Sequence, residues 1–94
     1  MGKLFDQIRS AIEDGRYLVS LHADERCEER GVTAWQLVAA FEDARLVRER
    51  PASQPNPSIV VGQILVDGTE VEAIWAWLSH SRRAKLVTVY DRSE

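Results

Sequence analysis

The stretch from Ser58 to Leu78 constrains the fold more than any other part of the chain. Ser58 to Val66 and Thr69 to Leu78 are rich in β-branched and aromatic residues, and Asp67-Gly68 between them is a hairpin turn of the favoured two-residue kind. Neither strand alternates between apolar and polar. Ile59, Val61 and Leu65 fall on one face of the first strand and Val60, Ile64 and Val66 on the other; in its partner Val71, Ala73, Trp75 and Trp77 oppose Ile74, Ala76 and Leu78. Helices cover one side of such a sheet, so the second apolar face calls for a cover of its own: another helix, a second protomer or a partner protein.

The N-terminal half supplies the helices. Leu4, Phe5, Ile8, Ala11 and Ile12 recur at spacings of three and four, predicting an amphipathic helix of about three turns that Gly15 ends. Tyr17-Leu18-Val19 is a short extended link whose Tyr17 and Val19 make core or cap contacts. Ser20 then serves as an N-cap, Asp24 and Glu25 place negative charge near the positive end of the helix dipole, and Arg30-Gly31 fits a helix C-terminus. Ala23 and Cys27 give this second helix a narrow apolar strip. Thr33-Ala34-Trp35-Gln36 is a capping box for a third helix, with Leu37, Val38, Ala40 and Phe41 on the core side, Trp35 as a core or staple residue, and a stop near Asp43-Ala44.

Arg45 to Arg50 reads as a charge-guarded edge strand, and Pro51 to Pro57 is a loop of the kind that shapes a binding cleft. After the hairpin, the polar connection Ser79 to Arg83 leads to a last strand from Lys85 to Asp91. The expected architecture is a single α+β domain, residues 1–94: N-terminal helices packed on a mostly antiparallel, about four-stranded meander sheet. Two indoles on one sheet face, Trp75 and Trp77, predict self-association as a homodimer through that face or through an exposed edge strand.

No apolar run approaches the length of a membrane span, the N-terminal segment lacks an apolar signal core, and one cysteine makes no internal disulfide. A reducing cytoplasm and no membrane association are the expectation. His22, Cys27 and His80 lack metal-ligand spacing, so neither a metal nor another cofactor is expected. A net charge of −3 argues against coating nucleic acid by overall electrostatics. A local basic site remains open, because folding can gather several of Arg26, Arg30, Arg45, Arg48, Arg50, Arg82, Arg83 and Lys85 onto one surface.

The candidate site residues lie in the second helix. His22, Arg26 and Arg30 stand at i, i+4 and i+8, on one helical face within roughly 12 Å of axis. One reading is a solvated face laced with ion pairs to Glu25 and Glu29. The other makes His22 a proton-transfer group and the guanidiniums a fork for phosphate or carboxylate.

Ser20-Leu-His22-Ala-x-x-Arg26-x-x-x-Arg30-Gly31-Val32-Thr33, the Pro-rich loop leading through Pro57-Ser58 into Val60-Val61-Gly62, and the closing Leu86-Val87-Thr88-Val89-Tyr90 together resemble the DUF4258 family, from about Tyr17 to Asp91. The resemblance implies a small α+β domain similar to the RelE and barnase-like ribonucleases, often toxins that cut RNA without metal. It places the family's histidine at His22, its arginines at Arg26 and Arg30, and its closing Thr-x-Tyr at Thr88 and Tyr90. Many relatives carry a histidine after the hairpin turn, where this chain has Glu70-Val71-Glu72-Ala73. The implied activity is RNA phosphodiester cleavage with an antitoxin as protein partner; the alternative is a non-catalytic binding or oligomerisation module on the same fold.

Overall fold

A computed structural model describes residues 2–91; Met1 and residues 92–94 lie outside the described residues. The two apolar runs pair antiparallel, as β3 (Ser58–Ile64) and β4 (Glu70–Leu78). Their turn is one residue longer than the sequence suggests. Gly68 N donates to Leu65 O and Leu65 N to Thr69 O, each at 2.9 Å, so Val66, Asp67 and Gly68 form the connection. A two-residue turn would need positive φ at Asp67, alone in type II′ or together with Gly68 in type I′, and here Gly68 alone in the turn has it, at 88°. Asp67 instead accepts a hydrogen bond from Thr69 N at 2.9 Å, which holds its carboxyl below the usual range.

The sheet has five strands in the order β1-β5-β4-β3-β2, with β2 (Arg45–Arg50) at one edge and β1 (Tyr17–Val19) at the other beside β5 (Arg83–Asp91). The meander of the last four is as expected; the fifth strand corrects the count of four. β1 pairs parallel with β5, Tyr17 to Ala84 and Val19 to Leu86. Three residues are too few to show a strand period, and this link becomes a strand because β5 offers it an unpaired edge.

Three helices, α1 (Lys3–Glu13), α2 (Leu21–Glu29) and α3 (Ala34–Ala39), the last followed by a 3-10 turn at Ala40–Asp43, supply the buried residues on one side of the sheet. Phe5, Ile8, Leu37, Phe41, Ile59, Trp75 and Leu86 are fully or almost fully enclosed. Phe41 stacks on Phe5 at 5.8 Å and meets Trp75 edge-on at 5.7 Å. The Trp75 indole donates to Gln63 Oε1 at 3.4 Å, and Gln63 Nε2 donates to Leu37 O at 2.7 Å, so the buried amide is satisfied within the core.

Trp75 and Trp77 therefore face the protein's own helices, which corrects the expectation that they form a dimer surface. Trp35 is a second correction: it is 71% exposed. It lies two residues from buried Leu37, roughly 200° around the helix, so only one of the two can face the core. The Thr33–Gln36 capping box is present, and Gly31 adopts φ 70° after α2 as a C′ glycine should.

The second sheet face is covered in part by the chain itself. Ser58, Val60 and Ala76 are buried there, and loop residues Ser53 to Asn56 stand with Ile74, Ala76 and Val87 around a shared cavity. Trp77 N donates to Pro57 O at 2.8 Å and ties the end of the loop down. The covering stops short of Ile64 and Val66, which stay exposed. Among the described residues no helix is long and apolar enough to cross a membrane.

Candidate functional site

Two irregularities in strand pairing decide which side chains meet on the loop side of the sheet. In β2 the register against β3 shifts between Leu46 and Arg48, leaving Val47 as an extra residue. Leu46 packs on the core, and Glu49 points to the helices as well, where its Oε2 accepts from Phe5 N at 2.7 Å at the start of α1. Arg48 and Arg50 consequently point away from the helices. With strict alternation from Leu46 they would have faced the core.

The same event occurs in β5, where the shift against β4 makes Val87 the extra residue. Leu86 and Val89 are both buried in the core, while Thr88 pairs with Ile74 and Tyr90 with Glu72, on the loop side. Strict alternation allows either Val87 and Val89 toward the helices or Leu86, Thr88 and Tyr90 toward them. The bulge yields neither.

The loop-side face is a grid of three rows. Arg50, Ser58, Ala76 and Lys85 form the first, Arg48, Val60, Ile74 and Thr88 the second, and Arg45, Gly62, Glu72 and Tyr90 the third. One outer column is all arginine, the other is Lys85, Thr88 and Tyr90, and the floor between them is small or apolar except for Glu72. Three inter-strand steps make this trough about 14 Å wide between the outer backbones. A cavity of about 300 Å³ opens at the first row, closed on one side by the loop.

Charges across the trough act on Tyr90. Burial, then the Glu72 carboxylate as hydrogen-bond acceptor and as neighbouring charge, hold the phenol above its ordinary value; Arg48 and Arg50 pull it the other way. The phenol therefore keeps its proton at neutral pH and acts as a donor. Ser58 is 4% exposed, and its hydroxyl has no partner among the described residues.

The residues of α2 hold a different position. Ser20 Oγ accepts from Ala23 N at 3.0 Å as the N-cap and donates to Val87 O at 3.1 Å, and Arg30 Nε donates to Val89 O at 3.4 Å. Beyond β1, the helix thus occupies the edge of β5 that no strand pairs. Arg26 is in an ion pair with Glu29 at 3.1 Å, and His22 is exposed. The outer surface of α2 is otherwise acidic, with a shallow depression lined by Glu25, Glu28 and Glu29. Cys27 is buried, and burial first and Asp24 second push its thiol up, as befits a small core residue.

The structure thus brings Thr88 and Tyr90 together on one face and His22, Arg26 and Arg30 along α2 at the sheet edge. Arg48, Arg50 and Lys85, known from sequence only as part of a scattered set of cations, prove to share the face with Thr88 and Tyr90. Glu72 and Ser58 were missed. Their signal was the position of each in an apolar strand, which becomes informative only once the register is known. No three His, Cys, Asp or Glu side chains gather as a metal site would require among the described residues.

These elements define a small α+β domain with one cationic, loop-roofed sheet face. The chain belongs to the family described as a domain of unknown function, DUF4258, whose model matches residues 19–91. No curated protein and no solved structure matches it.

Proposed function

We propose that this protein acts on RNA at the loop-side face of its sheet, as a metal-independent endoribonuclease of the toxin type that the family resemblance implies. One observation carries the reading: both bulges turn Arg48, Arg50, Thr88 and Tyr90 onto the same face as Arg45, Lys85 and Glu72. Cleavage without metal needs a base for the 2′-OH, cations for the phosphorane, and an acid for the leaving 5′-oxygen. Arg48 and Arg50 match the bidentate geometry of a phosphate. Tyr90, held protonated beside Glu72, is the acid.

Glu72 takes the 2′-OH proton as the 2′-oxygen attacks phosphorus. The P–O5′ bond breaks, Tyr90 protonates the departing oxygen, and the proton held by Glu72 restores the phenol, leaving a 2′,3′-cyclic phosphate and a 5′-OH. Thr88 is a hydroxyl contact to the same phosphate. His22, exposed on α2, is the competing proton-transfer group, with Arg26 and Arg30 as its phosphate contacts. A non-catalytic binding module is the second reading, favoured by the engagement of Arg26 with Glu29 and of Arg30 with Val89 O.

Incubation of single-stranded RNA with the purified protein in EDTA separates these. The expected result is a cyclic-phosphate product, lost at least tenfold in Tyr90→Phe and in Arg48→Ala and retained in His22→Ala. Loss in His22→Ala with retention in Tyr90→Phe moves the chemistry to α2. RNA bound and left intact, or RNA neither bound nor cut, overturns the ribonuclease reading and leaves the binding or oligomerisation module.

A further inference from the structure

The cavity at the first row differs from the rest of the trough in having walls. Ile74, Ala76 and Val87 form an apolar side, Ser53, Gln54, Pro55 and Asn56 form the roof, and Arg50 and Lys85 stand at opposite ends. Its volume of about 300 Å³ lies at the small end of the range for ligand pockets. Inside the row that forms it, Ser58 is 4% exposed and carries a hydroxyl without a partner among the described residues. Buried hydroxyls are nearly always hydrogen-bonded, and this one is left unsatisfied in a residue that lines the cavity.

We infer that this cavity holds one unstacked nucleotide of a single-stranded RNA, its base beneath the Pro51–Pro57 loop and its two flanking phosphates on Arg50 and Lys85. The inference rests on reading the face as an RNA site and adds to it the subsite that reads a base. An apolar wall suits the π-face of a base, and the Gln54 and Asn56 amides with the Ser53 hydroxyl offer the donors and acceptors that a base edge requires. The placement of the cations explains why a nucleotide fits better than a free anion. Within the cavity itself a lone phosphate would be expected between clustered cations, whereas Arg50 and Lys85 lie three strands apart, at the two ends of one row. A nucleotide within a strand carries a phosphate on each side of its sugar, and two long side chains reaching inward from the ends can meet both.

The test uses nucleoside 3′,5′-bisphosphates, with adenosine and inorganic phosphate as separate probes, measured by calorimetry on the intact chain. At least one of the four bisphosphates is expected to bind tenfold or more tighter than either adenosine or phosphate, and to shift the backbone amides of Ser53 to Ser58. Ala76→Leu, which fills the floor of the cavity, should abolish that binding. Should Ala76→Leu fail to fold, Lys85→Gln at the half-buried end of the row should weaken the bisphosphate at least fivefold. The inference is overturned if phosphate alone binds as well as every bisphosphate, or if a folded Ala76→Leu binds the bisphosphate as the parent does. Its failure is distinct from that of the RNA reading, since the parent would then still retain long RNA.

Discussion

The α2 strip and the loop-side face carry similar chemistry on different foundations. On α2, His22, Arg26 and Arg30 are brought into line by the helical period alone, so three positions in the sequence suffice to see them. On the sheet, Arg48, Arg50, Thr88 and Tyr90 come from strands far apart in sequence, and a bulge in each strand turns them outward together. The regular element engages two of its cations within the molecule, one with Glu29 and one with the β5 backbone. The irregular one presents its cations along an open trough. A motif that local periodicity makes conspicuous can thus be scaffold, while the surface fit for binding depends on pairings that no local pattern displays.

Substitutions that separate scaffold from surface sharpen this contrast. The largest effect on stability is expected at Ser20, whose hydroxyl both caps α2 and pins it to Val87 O. Ser20→Ala should cost about 1–2 kcal/mol, lowering the melting temperature by roughly 5–10 °C for a domain of this size. Arg48→Ala, on an exposed position of the trough, should stay within about 0.5 kcal/mol of the parent in the same denaturation experiment. Equal losses in the two variants would erase the distinction.

A smaller effect belongs to Tyr90. Its folded-state pKa is raised, so its contribution to stability is present at every pH below the ordinary phenol value of about 10 and is lost as pH rises through the folded value. Phenolate absorbance should therefore appear at higher pH for Tyr90 than for a model phenol. Glu72→Gln, which removes the charge that opposes ionisation, should bring the titration down. A Tyr90 titration left unmoved by Glu72→Gln would place the phenol outside the influence of Glu72.

Much of the fold was legible because it depends on local chemistry. The N-cap at Ser20, the capping box at Thr33, the C′ glycine at Gly31 and the apolar period of Leu4 to Ile12 each act within a few residues, and each stands where the sequence puts it. The Trp75 indole shows the limit. Its burial is evident from its strand, but whether helices or a second protomer bury it depends on which face α1 and α3 choose. The site was legible by residue type and hidden in its geometry: Tyr90 and Thr88 were named, yet their side of the sheet hinges on one extra residue at Val87, and an apolar run with both faces buried gives no sign of where such a residue sits. The loop was recognisable as a loop from its prolines. That it roofs the second apolar face follows from tertiary packing alone.

In the proposed reading the loop-side face, and not α2, meets RNA. Backbone amide shifts recorded during titration with a short single-stranded RNA, in EDTA and at low salt, test it directly. The largest changes are expected at Arg48, Arg50, Ser58 and Val60 and from Lys85 to Tyr90, with residues 22–29 little moved. Changes confined to His22, Arg26 and the outer turns of α2, with the trough silent, would contradict it.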